Sequence, residues 1–375
     1  VKPEWRIWRY SLPLAAPASL APGVSMSVRE GLLLEIIIED GGSFWGEAAP
    51  LPGFSGESLD DARKCLEDEV SRFHRAENPR RSFAAVSASL ASGSPSVEFA
   101  LASAFESLEN ADGRWLGSVS DPNRRDPAGE RVGGRPRSGT HVPPKHSVAL
   151  CGLLSGSRDE VLSDAIELRK NGYEAVKLKV GRGDVEDDAA LVREARDVLG
   201  DDFSLRLDAN RAWGFEDARR FAGLISDAGI EYIEEPLADA GRLRELSEAT
   251  GLPVALDESL SGMEPDEARS HHYARAFVMK PSLLGFHRTV SFASVARDRG
   301  AKAIISSSYE SGVGTLALLR MAASVGDGAA GLDTYRRIAD DVLSPPLDLS
   351  KPRVDMREVF GVERKVDHEK LERVA

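Results

Sequence analysis

Cysteine is nearly absent from this sequence: Cys65 and Cys151 are the only two among 375 residues. They form no CxxC pair. This excludes a disulfide framework and a cysteine-rich metal site, and points to a reducing compartment with both thiols acting as small buried apolar groups. Positive charge is also in deficit. The net charge of −13 argues against a nucleic-acid footprint and against attraction to an anionic membrane. Long hydrophobic runs are missing. The stretch GLLLEIII (31–38) is too short to cross a bilayer and is broken by Glu35. The opening VKPEWRIWRY has no apolar segment of a secretory leader, so a cytoplasmic protein is expected, with a few residues missing ahead of Val1. Neither a GxGxxG fingerprint nor a Walker A loop follows a first strand, which weighs against dinucleotide and nucleotide binding. Lysine is scarce, with 11 against 37 arginines.

That scarcity draws attention to EAVKLKV (174–180), which reads as a strand carrying Lys177 and Lys179. Strand side chains alternate, so both ammonium groups share one face while Val176, Leu178 and Val180 share the other. A surface strand with two solvated lysines is the plain reading. A site that needs two cations at one place is the alternative.

The apolar fraction of 42% supports a real core, and the length suits two domains or one large barrel with an appendage. Residues 1–117 read as an α+β domain. Apolar stretches at Trp5–Leu14, Met26–Arg29 and Leu32–Glu39 look like antiparallel strands, with EDGGS as a turn. SLDDARKCLEDEVSRF then begins with Ser58 and two aspartates, and SPSVEFALASAFESLEN with a Ser-Pro cap. The Gly/Arg/Pro-rich segment 118–142 has no periodicity and reads as a flexible insert. From 143 to 333, short β-rich runs alternate with amphipathic stretches: SVALC, EAVKLKV, SLRLDAN, IEYIEEP, PVALDES, AFVMKPS, KAIISSSYE and GLDTY. They start roughly 23–30 residues apart, the length of one strand–helix unit, which predicts a (β/α) TIM-like barrel of about seven to eight parallel strands.

In such a barrel the C-terminal strand ends form the active face. Read in order, they carry Lys177/Lys179, Asp208 and Asn210, Glu234/Glu235, Asp257/Glu258, Lys280, and Ser306–Ser308 with Glu310. Asp208, Glu234 and Asp257 come from successive strands. Three facing carboxylates repel unless a cation lies between them, and an all-oxygen donor set suits Mg²⁺. Each acid could instead cap a helix or pair with an arginine. A lysine works as a base only when neutral, a form that Lys177 next door, a metal and partial burial would all favour in Lys179. The chemistry suggested is removal of a proton α to a carboxylate. His271 and His272 lack a third ligand nearby and read as surface histidines.

The ordered set KLK, DAN, EEP, DES and MKP resembles the enolase superfamily in its muconate-lactonizing branch. Finer motifs, LRLDANRAW, VMKPSLLG, ISSSYESGVG, GLDT and GEAAPLPGFSGESL, are similar to the o-succinylbenzoate synthase family within it. The resemblance covers most of the chain and is weakest in 118–142 and the C-terminal tail. It implies that 1–117 caps the barrel and that 334–375 returns to pack on the cap. The loop around Leu14–Ser25 and the turn bearing Phe54 and Ser55 would form a lid that touches substrate.

By the same resemblance Asp208, Glu234 and Asp257 hold Mg²⁺, for which Mn²⁺ could substitute. Lys179 is the base, Lys280 stands on the opposite face, and Lys177 gives electrostatic support. Arg206, Asn210, Ser306, Ser307, Ser308 and Gly312 would complete the substrate site, the serine-rich turn and helix start offering N–H groups to a carboxylate. The implied reaction is a syn-dehydration of a cyclohexadiene carboxylate, by a lyase acting on a small-molecule carboxylate with no nucleic-acid or membrane partner. N-acylamino acid racemisation, dipeptide epimerisation and cycloisomerisation use the same residues. A Schiff-base aldolase built on Lys280 or a non-catalytic barrel leaves the acids unexplained. Monomer and homo-oligomer fit the sequence equally.

Overall fold

The structure, a computed structural model, describes residues 3–21, 23–38, 42–75, 93–109 and 145–375. The expected insert 118–142 lies outside them. Strands β1 (Glu4–Ala21), β2 (Val24–Ile37) and β3 (Ser43–Ala48) form an antiparallel meander. Leu32, Leu34 and Ile36 pack on one face against helices α1 (Leu59–Arg75) and α2 (Pro95–Glu109), together with Trp5, which stacks on Phe73 at 4.9 Å. Leu33 points the other way into the main core. The apolar run GLLLEIII is therefore a strand covered on both faces, as unbroken hydrophobic strands generally are. Glu35 is tolerated because it accepts from Trp8 Nε1 and Ser43 Oγ, both at 2.9 Å.

Two expectations change here. The stretches expected at Met26–Arg29 and from Leu32 on belong to one strand, Val24–Ile37, in which Gly31 lets the ring of Tyr10 lie where a β-carbon would stand; Glu39 lies outside the described residues. The expected lid loop Leu14–Ser25 is mostly strand as well: β1 and β2 pair out to Ala21↔Val24, with register shifts after Pro13 and Ser19.

A short strand β4 (Ser147–Ala149) pairs antiparallel with Arg353–Asp355. The parallel sheet follows in unbroken sequence order: β5 (Cys151–Leu154), β6 (Ala175–Lys179), β7 (Ser204–Asp208), β8 (Tyr232–Glu234), β9 (Val254–Leu256), β10 (Ala274–Met279) and β11 (Lys302–Ile305). The seam between β11 and β5 is closed by two bridging residues, Ala330 to Leu150 and Gly331 to Ser306. The expected strand GLDTY is thus only that bridge. Asp333–Arg337 winds into a 3₁₀ turn, and the Tyr335 hydroxyl donates to Asp341 at 2.7 Å.

The cap sits on the barrel through buried polar contacts. Glu47 of β3 accepts from Ser311 N (2.9 Å) and Gly314 N (2.8 Å), the first turn of the barrel helix Gly312–Ser324. Glu98 of α2 accepts from Phe286 N and from His287 N at 3.1 Å, the start of the helix Phe286–Asp298. A carboxylate satisfies the unpaired N–H groups of a helix start and its dipole together. Buried Arg29 donates from Nε to Tyr309 O at 3.1 Å and from NH1 to Pro50 O at 2.6 Å. The C-terminal strand Leu371–Arg373 returns to pair with β1, Trp8 opposite Arg373.

Candidate active site

Alternation along β6 sends Val176 and Leu178 into the core, both with no exposed surface, and turns Lys177 and Lys179 to the barrel axis. The register carries the same face across the sheet. Lys179 lies opposite Asp208, and Asp208 opposite Glu234; one layer deeper, Lys177 lies opposite Arg206 and Arg206 opposite Tyr232. Asp257 directly follows β9 and Lys280 directly follows β10, so both reach the same mouth.

The charges interlock. Lys177 Nζ bridges Asp208 Oδ2 and Glu234 Oε2, at 3.1 Å from each. Lys179 Nζ donates to Asp208 Oδ2 (2.7 Å) and Asn210 Oδ1 (2.6 Å), and Lys280 Nζ to Asp257 Oδ2 (2.5 Å). Asp208, Glu234 and Asp257 are all buried. Burial opposes ionisation of Asp208, but the ammonium groups of Lys179 and Lys177 outweigh it and hold the carboxyl well below the usual range. Glu234 goes the other way: burial, with Asp208 and Asp257 nearby, pushes its carboxyl up despite Lys177. Burial opposes the charge of Lys177 and Lys280, yet Glu234 and Asp208 for the first, and Asp257 and Glu258 for the second, raise both above the ordinary lysine value.

Among the described residues, no three carboxylate, imidazole or thiol groups converge closely enough to hold a metal ion as they stand. Ammonium groups sit on the same carboxylate oxygens that a metal would use. The donor chemistry nevertheless fits a hard divalent cation: three buried carboxylates from adjacent strands, one of them driven toward its neutral form by burial and by the two other acids. Glu258 Oε2 adds a buried oxygen with no hydrogen-bond partner among the described residues.

A cavity of about 350 Å³ opens above this layer, lined by Leu20 and Phe54 from the cap and by Asn210, Asp257, Lys280 and Leu283 from the barrel. The Phe54 ring faces Lys280 Nζ at 5.9 Å, a cation–π distance. Arg211 and Glu258 line it too. The sequence singles out neither as a site residue. No local pattern marks either, because Arg211 is aimed by a left-handed backbone (φ 60) that a non-glycine sequence does not advertise.

Other expected substrate residues are engaged elsewhere. Arg206 is directed toward the lower end of the barrel: Nε donates to Glu231 Oε2 and NH1 to Ala329 O, both at 2.7 Å, and the guanidinium lies 5.2 Å from the Tyr232 ring centre. It pairs with the half-buried Glu231 and is not among the residues that line the cavity. Ser306 and Ser307 donate to Gly331 O at 3.2 and 3.0 Å, and so close the barrel seam. Ser308 keeps a buried hydroxyl with no partner among the described residues. The helix start at Gly312 is not an open seat for a substrate carboxylate, because the protein's own acids occupy it. Asp341 Oδ1 accepts from Gly312 N at 2.8 Å, and Glu47 takes Gly314 N. Ser55 Oγ is used within its turn, accepting from Leu51 N at 2.8 Å.

Comparison with known proteins places the fold within a family. Residues 160–370 match the family model described as "Enolase C-terminal domain-like", and residues 3–108 match "MenC, N-terminal domain". The chain is 27% identical to an o-succinylbenzoate synthase of Pasteurella multocida (97% of this chain, 98% of that one). It is 29% identical to one of Haemophilus influenzae (95% and 97%). It is 32% identical over 86% of its length to the chloroplastic protein PHYLLO of Arabidopsis thaliana, spanning only 20% of that larger protein. Among solved structures, a dipeptide epimerase of Enterococcus faecalis complexed with Mg and L-Leu-L-Tyr shares the fold at TM-score 0.78 and 20% identity (95% and 97% covered). An o-succinylbenzoate synthase of Thermosynechococcus elongatus with Mg in its active site does so at TM-score 0.67 and 24% identity (91% and 95%). With the catalytic-domain model matched over more than half the chain, at the barrel positions where the lysines and acids interlock, this protein belongs to the enolase superfamily.

Proposed function

We propose that this protein is a Mg²⁺-dependent o-succinylbenzoate synthase. It would dehydrate 2-succinyl-6-hydroxy-2,4-cyclohexadiene-1-carboxylate to o-succinylbenzoate in menaquinone biosynthesis. The observation that supports the chemistry is the layer of paired charges, Lys179 on Asp208, Lys177 between Asp208 and Glu234, and Lys280 on Asp257, with Asn210, Asp257 and Lys280 also lining a cavity that Leu20 and Phe54 of the cap share. The choice of reaction within the superfamily is supported by synthase relatives matched along nearly the whole chain and by the MenC-type first domain.

Asp208, Glu234 and Asp257 would hold the metal. When bound, the ion supplies positive charge to a substrate carboxylate and lowers the barrier to removing the adjacent proton. With Asp208 committed to a cation, Lys179 would be released from the carboxylate it now pairs with and could serve as the base. Lys179 takes the α-proton from one face of the ring. Lys280, whose ammonium form is stabilised by Asp257 and Glu258, faces the other side and balances the anionic charge that develops. Lys179, now protonated on the same face, returns its proton to the departing hydroxyl. The C–H and C–O bonds break, the ring becomes aromatic and one water leaves, with syn geometry. Phe54 and Leu20 exclude solvent from above. Mn²⁺ is expected to substitute for Mg²⁺.

With a net charge of −13, the partner is a small carboxylate, not nucleic acid or an anionic membrane. Among the described residues no helix is long and apolar enough to cross a membrane. We place the enzyme in the cytoplasm.

A racemase would need Lys280 to deliver a proton to the opposite face, so the test is direct. The purified protein is offered the cyclohexadiene acid and, separately, N-succinyl and N-acetyl amino acids in D₂O. Dehydration of the first is expected. Fast racemisation without dehydration would overturn the synthase reading and leave the lysine and acid roles standing.

A further inference from the structure

Glu235 follows the candidate ligand Glu234, yet it faces away from the cavity and has no exposed surface. Its carboxylate is fully engaged. Oε1 accepts from Asp257 N (3.1 Å) and Ser259 N (2.9 Å), and Oε2 from Ser259 Oγ (2.9 Å) and Arg211 Nε (3.2 Å). Its backbone carbonyl accepts from Arg211 N at 2.7 Å, and its own N–H donates to Ala255 O at 3.3 Å. One residue thus ties together the turns after β7, β8 and β9, each of which presents one acid of the site.

The backbone carries a second, independent mark. Asn210 (φ 46), Arg211 (φ 60) and Glu235 (φ 38) are three of only four non-glycine residues with positive φ among those described. Left-handed backbone at a side chain with a β-carbon is unfavourable and persists only where surrounding contacts hold it. At Arg211 those contacts are its hydrogen bonds to Glu235, from N to the carbonyl and from Nε to Oε2; the neighbouring Asn210 is held by Asp208 Oδ1, which accepts from its N–H at 3.2 Å. The same arrangement sets the direction of Asn210, which accepts from Lys179 Nζ at 2.6 Å.

We infer that Glu235 is a positioning residue that sets the Asp257 backbone and the Asn210–Arg211 turn, and thereby the geometry with which Asp208, Glu234 and Asp257 take a divalent cation. The inference rests on the metal role proposed above for those three acids. A carboxylate is required because all four groups facing it are donors, two of them backbone N–H groups that cannot turn. Replacing one oxygen with an amide NH₂ sets donor against donor.

The test is Mn²⁺ titration of the metal-free full-length protein by calorimetry, for wild type, Glu235→Gln and Ser259→Ala, with circular dichroism as the check on folding. Steady-state kcat and KM at saturating Mn²⁺ accompany it. Glu235→Gln is expected to weaken Mn²⁺ binding by about tenfold or more, the usual effect of losing a partner that orients metal ligands. A fall in kcat should follow while KM for the organic substrate stays near the wild-type value. Ser259→Ala, which removes one of the four donors, should shift Mn²⁺ affinity the same way by less. A general packing defect would lower thermal stability without this split. A folded Glu235→Gln variant with wild-type Mn²⁺ affinity would overturn the inference while leaving the metal site intact. If Glu235→Gln does not fold, Ser259→Ala decides, and wild-type affinity there overturns it. Failure of the wild type itself to bind Mn²⁺ would remove the metal reading and this inference with it.

Discussion

Glu47→Gln tests how the cap is held on the barrel, and its effect can be worked out atom by atom. Glu47 is buried, with Oε1 accepting from Tyr10 OH (2.6 Å) and Ser311 N (2.9 Å), and Oε2 from Ser311 Oγ (2.5 Å) and Gly314 N (2.8 Å). The hydroxyls can rotate and accept from an amide; the backbone N–H groups cannot. Whichever oxygen becomes NH₂, it meets a fixed N–H, of Ser311 or of Gly314, and leaves that donor buried and unsatisfied. This costs about 1–3 kcal/mol, and the loss of charge from the remaining acceptor adds about 1 kcal/mol. The opposing gain is removal of a buried charge, since burial already pushes the Glu47 carboxyl above its ordinary value.

The net expectation is a loss of about 2 kcal/mol, or about 2–3 °C in Tm by calorimetry at pH 7 for a chain of 375 residues. The pH dependence has a definite sign. The folded state binds the Glu47 proton more tightly than the unfolded state, so this group's contribution to stability falls as pH rises from the ordinary carboxylate value through the raised one. The Gln variant lacks that decline, and its deficit relative to wild type should narrow as pH rises across that window. An unchanged Tm, or a deficit that widens with pH there, would refute the reasoning.

Asp208→Ala, Glu234→Ala and Asp257→Ala should each abolish turnover and Mn²⁺ binding while leaving the barrel folded by circular dichroism; full wild-type activity after exhaustive chelation would refute the metal assignment. Lys179→Ala should lose at least about 10²–10⁴ in turnover and in exchange of the substrate α-proton with D₂O. Lys179→Arg should be nearly as poor, because a guanidinium stays protonated; wild-type exchange in Lys179→Ala would identify another base. Arg206→Met should lower stability by about 1–3 kcal/mol, measured by denaturant unfolding, because Ala329 O loses its donor and the half-buried Glu231 keeps only Lys302. In the metal-free protein Asp208 has a depressed carboxyl, so its stabilising contribution is present above the ordinary carboxylate value and lost as pH falls below it. Asp208→Asn should flatten that acid limb in a pH series of melting temperatures.

The residues proposed to carry the chemistry were legible because they obey local rules. Period-2 alternation put Lys177 and Lys179 on one face, and strand–helix spacing put Asp208, Glu234, Asp257 and Lys280 at the same ends of consecutive parallel strands. A barrel translates those two rules directly into one mouth. What the sequence did not show was where several polar side chains find their partners. Arg206 and Ser306 sit on the correct strands, but a partner distant in sequence draws each one away from substrate: Glu231 for the first, Gly331 for the second. The helix start at Gly312 looked open because Glu47, which fills it, lies 267 positions from its partner Gly314. The lid was expected as a loop, but pairing between β1 and β2 extends it as a hairpin.

The sequence by itself therefore determined the fold class, the order of the ionisable groups and the face each one uses, because backbone periodicity and spacing are local and short-ranged. Only the tertiary structure decided which of those groups remain available. That depends on burial and on hydrogen-bond partners brought together from distant parts of the chain, and a buried polar group takes the nearest one the fold provides.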